Sequence, residues 1–269
     1  MLGVLGGMGP MATVDFMGKV IRNTPASRDQ DHIEMVVCSA TNVPDRTAAI
    51  LDQGSDPLPA MFDALRRLEQ SGVSCIAIPC NTAHYWHGAL QAKTSVPILH
   101  VVDAVADTLA DQGLEGTTIG VLATDGTIHA GVYQKRLAKR GYSCLIPNAE
   151  AQAEIMRAIR LVKAGNVDEA AAILRREAEA LVAAGCSQVA MACTEIPLAL
   201  AKVESDLRAR LLDPTEILAR ACVQSCQADD ADVTDREAVT RWGKGHPNAR
   251  DRQRTICIPP AHKSKGAQL

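Results

Sequence analysis

Aromatic side chains are nearly missing from this sequence: two Phe, two Trp and three Tyr make up 3% of its 269 residues. That leaves no platform on which single-stranded nucleic acid stacks. Net charge is equally scarce, at −3 from 28 basic and 31 acidic residues, so there is no basic field for nucleic acid or an anionic membrane. No apolar run approaches the roughly 20 residues of a membrane span. The start, Met1-Leu2-Gly3-Val4-Leu5, runs into glycines without a basic region and does not read as a signal peptide. The nine cysteines, at 38, 75, 80, 144, 186, 193, 222, 226 and 257, lack paired zinc-type spacing. Most are expected as small buried residues in a reducing cytoplasm, with Cys38, Cys75, Cys144 and Cys186 expected inside strands as part of the core. What remains is a cytoplasmic globular protein, 47% apolar, whose partner is a small molecule.

Short runs rich in Val, Ile and Leu alternate with helix-period segments. Leu2 to Leu5, Ile33 to Cys38, Cys75 to Pro79, Ile119 to Ala123 and Gln188 to Ala192 read as buried strands. Segments 58–70, 103–112, 129–140, 151–163 and 167–184 read as helices covering sheet faces. The alternation predicts an α/β fold with mainly parallel sheets. Beyond about residue 228 the chain turns charged and aperiodic, and 229–269 is expected to be a disordered or loosely docked tail, with Thr255 to Ile258 as one candidate edge strand.

An internal repeat organises the rest. Residues 68–82 align without a gap on 181–195, bringing Leu68 onto Leu181, Gly72 onto Gly185 and Cys80 onto Cys193. Upstream, Gly3-Val4-Leu5 is echoed by Gly120-Val121-Leu122. The chain therefore reads as two related α/β halves, each with a cysteine at the end of a strand. Ligands of parallel sheets bind at the carboxyl ends of strands. Two facing halves would set the two thiols on opposite sides of one ligand.

Cys80 is followed by Asn81-Thr82, good cap residues, and by the helix-compatible Ala83 to Lys93. Cys193 is followed by Thr194-Glu195, with Thr194 as the expected cap. A thiol at a helix start is expected to have a lowered pKa, and the same amides offer N–H groups to a carboxylate.

Four segments in order, Gly3 to Thr13, Asn42 to Thr47, Pro79 to His84 and Ala192 to Pro197, closely resemble the aspartate/glutamate racemase family, over about residues 2 to 226. The resemblance implies two similar α/β domains related by a pseudo-two-fold axis, residues 1–98 with 207–228 in one and 99–206 in the other. It implies an isomerase that needs no pyridoxal phosphate, metal or other cofactor, with Cys80 and Cys193 as catalytic acid and base. Inverting an α-carbon requires one group to remove the proton from one face while another delivers a proton to the opposite face, with roles exchanged for the other enantiomer. Carried over with it as substrate-binding positions are Met8 and Gly9 of the first loop, Gln53, Asn81 and Thr82, Thr124 and Thr127 of the second loop, and Thr194 and Glu195. Arg46 and Lys163 match the basic residues that neutralise a side-chain carboxylate. The expected substrate is aspartate or a related acidic amino acid, and the expected assembly a homodimer.

Rival signals are weaker. The glycines after the first strand do not have the G-x-G-x-x-G spacing of a dinucleotide loop. Cys80, His84 and His87 lack a fourth metal ligand. Maleate isomerases and hydantoin racemases also resemble this two-cysteine layout, whereas arylmalonate decarboxylases lack the first cysteine. An amino-acid-binding protein that kept the cleft without turnover is the non-enzymatic alternative.

Overall fold

The computed structural model describes residues 1–203 and 205–227. The tail expected at 229–269 lies outside them. Among the described residues are seven strands: β1 (Leu2–Gly6), β2 (Met35–Ser39), β3 (Cys75–Ala77), β4 (Thr118–Ala123), β5 (Ser143–Leu145), β6 (Gln188–Ala192) and β7 (Leu211–Leu212). They form two all-parallel sheets, ordered β2-β1-β3 and β5-β4-β6-β7.

Side chains of a strand alternate between faces, and the cores follow that alternation. Leu2 and Val4 of β1, with Ile119, Val121 and Ala123 of β4, enter one central cluster. Leu5 and Leu122 point the other way, each into a separate outer core. Both faces of both sheets are thus covered, which is why the strands read as continuous apolar runs. The central cluster also takes Ile217, Leu218, Cys222, Val223 and Cys226 of the helix at 214–227, where Cys226 Sγ lies 3.4 Å from Cys75 Sγ. Residues 211–212 extend the second sheet through β6, and the helix that follows packs into the core both sheets share.

The repeat persists to the level of register. Gly3 pairs with Ile76 across β1 and β3, and its counterpart Gly120 pairs with Val189, the counterpart of Ile76. The glycines are required by space: a Cβ at Gly3 would lie 3.1 Å from Ile76 Cγ1, and one at Gly120 would lie 3.2 Å from Val189 Cγ2. Gly72 and Gly185 each turn the chain from helix to strand, with φ of 74° and 93° that favour glycine. Ahead of them, helix Leu58–Gln70 buries Met61, Ala64, Leu65 and Leu68, and helix Val167–Ala183 buries Ala170, Ile173, Leu174, Ala178 and Leu181, the three- and four-residue spacing of a core-facing stripe.

Three local expectations are corrected. The helix expected over 129–140 is two helices, Asp125–Ala130 and Val132–Ala138, because Gly131 between them is left-handed, at φ 67°. The helix expected from Ala83 to Lys93 is a 3-10 turn, Thr82–Trp86, followed by a short helix, His87–Gln91. Cys186, expected inside a strand, lies in the turn before β6, although it is buried as expected.

Candidate active site

Parallel pairing gathers the carboxyl ends of the central strands, and a small cleft of about 30 Å³ lies there. The segment after β1 contributes Met8, the segment after β2 contributes Asp45, Arg46 and Thr47, and the segment after β3 contributes Cys80, Asn81 and Thr82. From the second half come Thr124 after β4, Lys163 at the end of helix Ala149–Lys163, and Cys193, Thr194 and Glu195 after β6. Both cysteines are buried, at 7% exposure each. Close approach of the halves depends on Gly126, where an added Cβ would sit 2.8 Å from the Thr47 Cα.

The two thiols have different surroundings. Cys193 Sγ donates to Glu195 Oε2 at 3.0 Å, and the Thr194 hydroxyl donates to the same oxygen at 3.1 Å. Lys163 Nζ lies 3.8 Å from Glu195 Oε1. Burial, followed by the adjacent Glu195 charge, pushes the Cys193 thiol well up. Burial also pushes the Cys80 thiol up, but there the Arg46 guanidinium and the Ala83 N–H pull in the other direction. The lowered thiol pKa expected from a helix start is therefore overturned: a backbone N–H does reach each thiol, but desolvation of a buried thiolate outweighs it.

The expected caps are corrected too. Neither Asn81 nor Thr194 accepts a capping hydrogen bond. Asn81 Oδ1 instead accepts from the Tyr133 hydroxyl at 2.6 Å. Thr82 Oγ1 lies 3.0 Å from Thr124 Oγ1 and 2.8 Å from Thr127 Oγ1, and the last two are 3.0 Å apart, closing a ring of three hydroxyls across the halves. Thr124 also caps its helix by accepting from Thr127 N.

Arg46 uses its guanidinium on the backbone: Nη1 donates to Val43 O and Pro44 O, and Nη2 to Met8 O. The Nε–H is buried without a partner among the described residues, and the guanidinium also faces the Cys80 thiol. His84 Nε2 accepts from Val101 N, so Nδ1 carries the proton donated to Cys80 O, and His87 Nε2 donates to Ile98 O. Both imidazoles are thus tied to main chain. Among the described residues, no group of three or more His, Cys, Asp or Glu is placed to hold a metal ion.

The profile of the Asp/Glu/Hydantoin racemase family matches residues 5–222. The chain belongs to this family. Among similar proteins, this racemase is 29% identical over 231 residues to a broad-specificity amino-acid racemase of Bacillus subtilis, an alignment covering 84% of this chain and 97% of that one. Among solved structures it is similar to the Picrophilus torridus aspartate racemase, with 28% identity, a TM-score of 0.73 and coverage of 83% of this chain and 93% of the other. The glutamate racemase of Francisella tularensis shares the fold, with a TM-score of 0.58 at 16% identity and coverage of 86% and 81%.

Of the positions that the family resemblance carried over, Met8, Arg46, Asn81, Thr82, Thr124, Lys163, Thr194 and Glu195 line the cleft of the racemase together with the two cysteines. Gly9, Gln53 and Thr127 do not. Gln53 is exposed, because its N–H closes the end of the short helix Arg46–Ile50 on Ala48 O; Thr127 is fully buried in the hydroxyl ring behind Thr82. Asp45 and Thr47 line the cleft without having been singled out, although both lie inside the Asn42 to Thr47 segment. Tyr133 carried no sequence signal, since one tyrosine in a helix reads as core.

Proposed function

We propose that this racemase interconverts L- and D-aspartate, or a closely related acidic amino acid, without a cofactor, by two-base proton transfer between Cys80 and Cys193. One observation carries the reading: two buried cysteines from equivalent positions of the repeat line one cleft with Arg46 and Lys163. A thiolate on one face of the α-carbon removes the proton while the thiol on the other face delivers one, and the pair exchanges roles for the reverse reaction. The α-carboxylate takes charge from the forming carbanion and is stabilised by N–H donors around Asn81 and Thr194. Arg46, whose Nε–H has no partner among the described residues, holds the side-chain carboxylate together with Lys163. The same reading takes 1–98 with 207–228 and 99–206 as two domains, and the assembly as a cytoplasmic homodimer, which sedimentation tests.

The deciding experiment incubates the protein with single L-amino acids in deuterium oxide. The D-enantiomer carrying α-deuterium is expected from aspartate without added pyridoxal phosphate. Hydantoin or maleate turnover in place of amino-acid turnover would move the reaction within the family. Binding of aspartate without exchange would favour a sensor.

A further inference from the structure

Tyr133 is fully buried between the halves, and its hydroxyl donates to Asn81 Oδ1 at 2.6 Å. That bond joins helix Val132–Ala138 of the second half to the loop directly after Cys80. The phenol has no other hydrogen-bond partner among the described residues. Burial raises its pKa well above the ordinary value, so it stays protonated and always has a hydrogen to give. Asn81 is 3% exposed and lines the cleft, and its Nδ2 is buried with no partner among the described residues. Leaving a buried amide nitrogen without an acceptor is costly, and such groups are rare in folded proteins.

The two ends of an asparagine amide are alike in shape and opposite in chemistry: one accepts, the other donates. Packing alone does not choose between them. A buried hydroxyl with no second acceptor does: flipped, the amide would donate to the phenol oxygen and leave the phenol hydrogen without an acceptor, so Oδ1 turns to Tyr133 and the NH2 faces away. A substrate carboxylate needs that NH2 and is repelled by Oδ1. The neighbouring hydroxyls do not take over this task, since Thr82 is committed to the ring with Thr124 and Thr127.

We propose that Tyr133 is a positioning residue for substrate binding, holding the Asn81 amide so that Nδ2 faces the cleft as a donor to the α-carboxylate of the substrate. This rests on the racemase reading above and adds to it a residue that touches neither the reacting atoms nor the substrate. Because the anchor comes from one half and the amide from the other, the donor is in place only when the halves are together.

The test is a double-mutant cycle of Tyr133→Phe and Asn81→Ala, with L-aspartate as substrate. Phe keeps the ring in the core, and a melting curve checks that each variant is folded. Tyr133→Phe is expected to lower kcat/KM about tenfold, mainly through KM, the signature of lost ground-state binding. In the Asn81→Ala background the same change is expected to have less than a twofold effect, because the group it positions is gone. Calorimetric titration with L-aspartate should repeat the pattern in affinity. Equal effects of Tyr133→Phe in both backgrounds would overturn the proposal and make Tyr133 a structural residue. If the unaltered protein racemises aspartate while the cycle is additive, only the role of Tyr133 fails. If it neither binds nor racemises aspartate, both readings fail.

Discussion

The Cys193 thiol donates its hydrogen to Glu195 Oε2 at 3.0 Å, a carboxylate two residues along the same turn. Cys80 has no such acceptor among the described residues and has Arg46 beside it instead. The negative neighbour favours the protonated form of Cys193, and the positive one favours the thiolate of Cys80. Glu195→Gln keeps the shape and removes the charge, so the Cys193 thiolate should form at a lower pH than in the parent. Thiolate absorbance near 240 nm, followed against pH in a Cys80→Ala background, measures this. An unchanged or higher titration midpoint would show that Glu195 does not govern Cys193.

Either Cys80→Ala or Cys193→Ala should abolish racemisation in a folded protein, because one base cannot reach both faces of the α-carbon. Residual α-proton exchange with solvent should favour opposite enantiomers in the two variants. Chiral separation after incubation in deuterium oxide reads both quantities. Full racemisation by either variant would sink the two-base mechanism.

Arg46 holds three backbone carbonyls and, in the proposed function, also the substrate's side-chain carboxylate, so Arg46→Met should have two separable effects. Loss of a charge-assisted pair worth about 1.5–3 kcal/mol predicts a fall in kcat/KM for aspartate of at least tenfold, with a smaller fall for alanine. Loosening of the Met8 and Val43 segments should lower thermal stability as well. Lysine should restore little, since it offers a point charge in place of the planar fork. Equal losses for aspartate and alanine would leave Arg46 a structural role only.

Gly126→Ala should impair activity more than stability. Its Cβ would meet the Thr47 backbone at 2.8 Å, so the halves must part by several tenths of an ångström where the cleft forms. Positioning errors on that scale are costly to catalysis. The expected result is at least a tenfold loss of turnover with a melting temperature within a few degrees of the parent, and wild-type turnover would show that the contact yields without moving the cysteines.

Acid should destabilise the protein through its buried imidazoles. Burial lowers the His84 pKa to about 4, from an ordinary 6.5, and moves His87 and His100 in the same direction. Between those two values the unfolded chain binds the proton and the folded one does not. The stability is therefore complete above pH 6.5 and is lost as pH falls toward 4, at up to about 1.4 kcal/mol per unit for a single group. Urea unfolding from pH 7 to 4 should show this slope, and His84→Asn should flatten it. An identical slope in that variant would assign the acid sensitivity to other groups.

The strand-and-helix alternation, the repeat and the positions of Cys80 and Cys193 beyond a strand could all be read from residue order. Those features are local or periodic: Gly3 and Gly120 mark the close approaches of Ile76 and Val189, Gly72 and Gly185 mark left-handed turns, and each recurs at a readable spacing. Residues 68–82 and 181–195 also fold alike, so one half predicts the other. The state of the groups inside the cleft depends instead on long-range packing. A helix-start position argues for a reactive thiol, but the desolvation that raises both thiols comes from atoms scattered over the whole chain. Asn81 and Thr194 read as caps because capping is a short-range rule; bonds to Tyr133, 52 residues away, and to the Glu195 carboxylate replaced it. Gln53 left the site and Thr127 moved behind it for the same reason: which side chains share a cleft depends on how two halves dock, and sequence spacing carries no term for docking.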